Sequence, residues 1–285
     1  MISIIIKLIR IKHWIKNLFV FVPIFISGNI FDTFLLVQSL LIFLVFCFVS
    51  SSIYVFNDII DINRDKAHPI KKNRPLASGK LSISYAILII IILMILSLSI
   101  LNVLDFRGFN VILAYFIINI IYSLYVKHVP ILDIVSISTG FVLRVNAGLA
   151  VTGLSGSFWL IGLTFSLSML LAVGKRKGEL KIKNEGLSRP SLKGYTFDFL
   201  NHLQGIFTTI VMIFYILYTF FTDNFPGNMD LLLYSSFFVI IGLCRYLQIN
   251  FSLKSIDEPT DILYKDKFLL LIVMLWIAYI LYCLG

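Results

Sequence analysis

Charge is what this sequence has least of. Asp, Glu, Lys and Arg make up 14% of its 285 residues, against 59% for apolar types. A water-soluble domain carries about a quarter charged residues, so that class is excluded. Cysteine is scarce as well. Cys47, Cys244 and Cys283 each stand alone in an apolar run, and no spacing among them makes a metal site or a disulfide framework. The four histidines, His13, His68, His128 and His202, form no metal-ligand spacing either. Internal repeats of the kind many transporters show are absent. So are a glycine-rich linker and a separate soluble stretch. The opening MISIIIKLIRIKHWIKN has no small-residue cleavage site, and Lys and Arg interrupt its apolar run. That argues against a signal peptide and predicts an interfacial amphipathic segment over residues 1–15, with Trp14 at headgroup level.

What the chain does have is length in apolar segments. Nine are read, at about 16–31, 34–57, 82–104, 109–127, 130–151, 157–174, 203–222, 230–250 and 266–284, each near the ~20 residues a bilayer requires. They alternate between basic and non-basic connections. Residues 1–16, 64–80, 127–128, 175–193 and 254–267 hold 21 of the 24 Lys and Arg. The other connections hold only Arg107, and Arg144 and Arg245 lie within segments. The positive-inside rule therefore puts the N-terminus and the basic connections in the cytoplasm. The expectation is one all-α polytopic domain over residues 1–285, with nine membrane helices and cytoplasmic site loops at 58–81 and 175–202. It is a protein of the cell membrane that binds no nucleic acid. Nothing in the sequence sets an oligomeric state.

The chemistry concentrates in NDIIDINRDKAHPIKKNRPLASG, residues 57–79. Read as a continuing helix, Asp61 lies about 60° and Asp65 about 20° around the axis from Asp58, so three carboxylates share a stripe at a membrane mouth. Acids at that depth are costly and mark function. A basic cluster follows at once. Carboxylates beside cations are what Mg²⁺ with a phosphorylated substrate needs.

This stretch resembles the first aspartate-rich motif of the UbiA superfamily of intramembrane prenyltransferases, and nine spans with the motif after the second match that architecture. The resemblance implies a helical bundle whose cavity opens to the cytoplasm and to lipid. Such enzymes ordinarily carry a second acidic motif after the sixth span. Here that place reads GKRKGELKIKNEG, residues 174–186, with Lys175, Arg176, Lys177 and only one early acid, Glu179. Cations there bind phosphate directly rather than through metal.

The departure, with RIKHWIKN (Arg10, Trp14, Lys16, Asn17), AVGKRKGEL and RPSLKGYTFDFL (Arg189, Leu192, Tyr195), is similar to the decaprenyl-phosphate phosphoribosyltransferase branch of the superfamily. The branch implies transfer of phosphoribosyl from phosphoribosyl pyrophosphate (PRPP) to a polyprenyl phosphate, with Mg²⁺ held by Asp58, Asp61 and Asp65. Substrate-binding candidates are Lys16, Asn17, Asn57, Arg74, Tyr122, Lys127, Arg144, Lys175, Arg176, Glu179 and Arg189. A prenyl diphosphate-dependent aromatic prenyltransferase and a membrane transporter are the alternatives. The missing second acidic motif argues against the first, and the missing repeat against the second. Within the fifth segment, Arg144 lies eleven residues past Asp133, about 16 Å along a helix, so the two cannot pair directly. A charge that deep must find a partner inside the bundle, either a substrate phosphate or an acid on another helix. Arg245, nearer a segment end, reads as structural.

Overall fold

In the computed structural model, residues 2–68, 71–181, 190–221, 225, 227, 229–252, 262 and 265–284 are described. Among them every regular element is helical. In chain order the helices are α1 (Ile2–Ile9), a 3₁₀ segment (Ile11–Phe21), α2 (Val22–Ile26), α3 (Thr33–Ile60), α4 (Ile62–Ala67), α5 (Ile83–Val103) and α6 (Phe109–Leu124). There follow α7 (Leu132–Thr152), α8 (Phe158–Lys181), α9 (Phe197–Phe221), α10 (Met229–Tyr234), α11 (Ser236–Ser252) and α12 (Lys267–Leu284). Short 3₁₀ turns at Lys71–Asn73, Val126–His128 and Pro190–Gly194 join them. Local chemistry sets several starts. The Asp32 carboxylate accepts from the N–H groups of Phe34 and Leu35 at 2.9 and 3.1 Å, and the Ser82 hydroxyl accepts from Tyr85 N. Each satisfies donors that a helix start otherwise leaves open. Thr196 does the same for Phe199, and α9 therefore begins at Phe197, ahead of the expected 203.

Among the described residues, seven helices are long and apolar enough to cross a membrane: α3, α5, α7, α8, α9, α12 and the run Asp230–Phe251 through α10 and α11. The other two expected spans take different forms. The fourth becomes the 16-residue α6, which ends at Leu124 before the turn at Val126–His128. The first is mostly 3₁₀, over 11 residues. Its rise of about 2.0 Å per residue stretches a short sequence further than an α-helix would, and hydropathy does not register the difference. At Gly148 of α7, an added Cβ would lie 2.2 Å from the backbone oxygen of Val20, so the two backbones touch. Gly148→Ala is expected to cost about 1–3 kcal/mol of overpacking, read as a lower unfolding midpoint in detergent. Gly205→Ala, with nothing near its Cβ position, is the control for helix propensity and should stabilise the protein by about 0.5–1 kcal/mol, raising the midpoint.

The chain divides into two compact units. One comprises residues 1–25, 29–125 and 143–154; the other comprises 26–28, 126–142 and 155–285. The first has a core of Ile42, Val45, Phe46, Val49, Leu101, Tyr115 and Val151, with a second cluster of Leu8, Val55, Leu76 and Ala86. The second unit has two cores, one around Ile134, Val173, Tyr195 and Leu200, the other around Leu170, Val211, Tyr246 and Leu269. Many aliphatic side chains of α5, such as Ile91, Ile92 and Ile95, are exposed, as lipid-facing residues are.

Candidate active site

In the first unit the stripe of acids forms, but with a break. The helix α3 stops at Ile60. Asp61 adopts φ −90° and ψ 9°, and α4 resumes at Ile62. Asp58 and Asp65 are buried, at 2% and 3% exposure, and one arginine joins them. Arg74 Nη1 lies 3.0 Å from Asp58 Oδ1 and 2.6 Å from Asp65 Oδ2. A second cation reaches Asp58 from the N-terminus: Arg10 Nη2 donates to Asp58 Oδ1, and its guanidinium lies 5.0 Å from the centroid of the Tyr54 ring. Arg10 sits at the junction of α1 and the 3₁₀ segment with φ 54°, a left-handed conformation uncommon outside glycine. The RIKHWIKN pattern contains Arg10, but nothing in it points to Asp58, 48 residues away. Trp14 Nε1 donates to Ser51 Oγ at 3.1 Å, which ties the same segment to α3.

Deeper in that unit, Arg144 is 5% exposed. It donates to Asn17 Oδ1 at 2.8 Å and to the Tyr115 hydroxyl at 2.9 Å. It lies over the rings of Phe46 and Tyr115, at 5.5 and 4.8 Å. Asn17 in turn donates to Cys47 Sγ and Ser50 Oγ. Two residues taken from the sequence as substrate contacts are thus bonded to each other.

In the second unit, α8 runs on through the stretch expected to be loop, so Lys175–Lys181 is helical. Among the described residues, Arg176 has the largest side chain that is almost wholly buried. Its Nε donates to Asp133 Oδ2 at 2.7 Å and its Nη1 to Glu179 Oε2 at 2.9 Å. Asp133, wholly buried, also accepts from Ser191 Oγ at 3.1 Å and from Tyr195 OH at 2.6 Å. The Tyr195 hydroxyl accepts in turn from the Ile131 N–H at 2.6 Å. Burial, and next the bond to Asp133, push the Tyr195 hydroxyl well above its ordinary pKa, so it stays a donor. Lys177 is buried too. It donates to Gln204 Oε1 at 3.1 Å, and its ammonium lies 3.7 Å from the Phe251 ring centroid.

Residues 18–181 match the UbiA prenyltransferase family. The chain belongs to that family. A decaprenyl-phosphate phosphoribosyltransferase of Mycolicibacterium smegmatis is 30% identical over 295 residues, covering 98% of this chain and 91% of that one. Its namesake in Corynebacterium glutamicum is 31% identical over 221 residues, covering 75% and 67%. A solved UbiA homologue from Archaeoglobus fulgidus, bound to DMAPP and Mg²⁺, superposes with a TM-score of 0.76 at 20% identity over 98% of both chains, and at that identity the likeness concerns the fold alone. This UbiA family member is a multi-pass membrane protein and a transferase.

The remaining candidates are distributed as follows. Asn57, on α3, and Lys16, in the 3₁₀ segment, are half-buried, and so is Asp61 at the helix break. Tyr122 lies in the last turn of α6 in the first unit, while Lys127 belongs to a turn of the second. Lys175 and Glu179 are half-buried on α8. Glu179 accepts from Arg176, one turn before it on the same helix. Arg189 lies outside the described residues. Arg245 is tied to Asp266, with contacts of 2.6 and 3.2 Å, and that bond holds the Asp266 carboxyl below its usual pKa. No group of three His, Cys, Asp or Glu among the described residues gathers as a metal site. The donor chemistry around Asp58 nevertheless fits Mg²⁺. A single cationic nitrogen already bridges two buried carboxylates, and Mg²⁺ takes one or two carboxylates, completing its shell with waters and substrate phosphates.

Proposed function

We propose that this protein transfers phosphoribosyl from PRPP to a polyprenyl phosphate, releasing pyrophosphate and forming polyprenyl-phosphoryl-5-phosphoribose. What supports this most is that a relative matching 98% of this chain is named a decaprenyl-phosphate phosphoribosyltransferase. Beside it stands the chemistry of α8, whose end is cationic where a diphosphate-binding enzyme of the aromatic type would carry acids.

In the reaction a phosphate oxygen of the lipid forms a bond to C1 of the ribose as the bond from C1 to pyrophosphate breaks. The acceptor is a phosphate monoester and is already anionic at neutral pH, so no strong general base is required. Positioning and electrostatic stabilisation are the protein's tasks. Asp58 and Asp65, with Asn57 and Asp61, would hold Mg²⁺. When bound, that ion offsets charge building on the pyrophosphate. Arg10 and Arg74 neutralise the acid pair in the free protein and donate to phosphate oxygens once the carboxylates are otherwise engaged. Lys16, Lys127 and Lys175 are the further phosphate-binding cations, with Tyr122 and Arg189 completing the set. The lipid tail lies along the helices towards the bilayer, and the site opens to the cytoplasm.

The test is purified protein with radiolabelled PRPP and a panel of polyprenyl phosphates, with Mg²⁺ or with a chelator. A labelled lipid-soluble product that depends on Mg²⁺ is expected. Product instead from a prenyl diphosphate and an aromatic acid, with PRPP inert, would replace this reading.

A further inference from the structure

The three adjacent cations of α8 do not share a task. Arg176 and Lys177 are buried among protein partners, while Lys175 is half-buried. Arg176 ends on Asp133, and Asp133 is where three stretches of chain meet. It lies in the first turn of α7, receives Arg176 from α8, and receives Ser191 and Tyr195 from the 190–195 stretch. Wholly buried carboxylate oxygens need hydrogen-bond donors in place of water.

The arrangement reaches one residue further. Ile131 has φ 68°, a conformation that is a genuine outlier for a β-branched side chain. Strain of this kind persists only where the surroundings over-determine it, and it clusters at functional sites. Here Tyr195 supplies the restraint by taking the Ile131 N–H. Gly194 adds another, since a Cβ there would lie 2.4 Å from Pro130 Cγ. Ile131 lies four residues past Lys127, and Arg176 directly follows Lys175.

We propose that Asp133 and Tyr195 are positioning residues that lock the Lys127 turn and the Lys175 end of α8 into one geometry. In that role Arg176 is a strut and not a phosphate ligand. The proposal rests on the transfer reading for its substrate, since Lys127 and Lys175 are phosphate-binding there.

Tyr195→Phe is the decisive variant, because it removes one hydroxyl and leaves the ion pair in place. In the full chain in detergent, amide exchange at Ile131 is expected to quicken about tenfold, the loss of one hydrogen bond. KM for a phosphate substrate should rise about tenfold with kcat near wild type, while the unfolding midpoint falls modestly, since the hydroxyl makes two buried hydrogen bonds, to Asp133 and from Ile131. Asp133→Asn should raise KM further. Arg176→Lys, which keeps the charge, should recover more KM than Arg176→Gln. Inorganic pyrophosphate should also protect Lys127 and Lys175 from amine-directed labelling, with a midpoint about tenfold higher in Tyr195→Phe. This readout requires no turnover. A wild type inert towards PRPP would remove the transfer reading, while the protection midpoint would still decide the positioning role. A folded Tyr195→Phe protein with wild-type exchange at Ile131, or with wild-type KM and protection, would overturn the proposal.

Discussion

Asp58→Asn is expected to lower kcat/KM for phosphoribosyl transfer by about a thousandfold or more, which corresponds to roughly 4 kcal/mol of lost transition-state stabilisation. The substitution keeps the shape of the side chain and removes its charge. Two guanidinium groups now converge on Asp58, so the variant loses the group that organises both, and it also loses an anionic oxygen for Mg²⁺. Asp65 retains its own contact with Arg74, which should preserve the fold around α4. Three measurements separate these effects: kcat/KM, the Mg²⁺ concentration giving half-maximal rate, and the shift of unfolding midpoint on adding Mg²⁺. The last reads metal binding without turnover and should vanish in the variant. Asp61→Asn, at the helix break, should cost less, about ten- to a hundredfold, as for groups that support a metal's ligands. A fully active Asp58→Asn protein would remove the acid pair from the site.

The relation between Asp58 and Asp65 was legible because it depends on helical period alone. A spacing of seven residues brings two side chains to within about 20°, and the short break at Asp61 does not spoil it. The helix break at Asp61 was not legible, since it depends on one residue's ψ. The cations of α8 show the other kind of limit. Consecutive helical residues point about 100° apart, so Lys175, Arg176 and Lys177 must face three ways. Which way meets an acid is fixed by α7 and the 190–195 stretch, far off in sequence. Arg10 was hidden for the same reason, because its partner is set by a left-handed turn. The topology fared differently. Hydropathy and charge found the apolar segments, but the 3₁₀ form of Ile11–Phe21 and the close approach of Val20 to Gly148 are backbone features that no composition reports.

Arg144→Met is expected to destabilise the protein by about 3 kcal/mol and to leave substrate affinities nearly unchanged. Side-chain hydrogen bonds between helices in membranes average about 0.6 kcal/mol and reach about 1.7. Bonds from a charged donor lie towards the top of such ranges, and Arg144 makes two, to Asn17 and Tyr115. The substitution also strands the Asn17 carbonyl in a wholly buried position. Asn17 links the 3₁₀ segment to Cys47 and Ser50 of α3, so that segment should loosen first. Its amides should then exchange faster than those of α5. Asn17→Ala should therefore add little on top of Arg144→Met, because the two act as one unit. A substrate-binding Arg144 predicts the reverse pattern, with a midpoint near wild type and weakened phosphate affinity. The sequence leaves these two roles evenly matched. The partners at 2.8 and 2.9 Å favour the structural one, because they commit two of the five guanidinium donors to protein acceptors in a side chain that is 5% exposed.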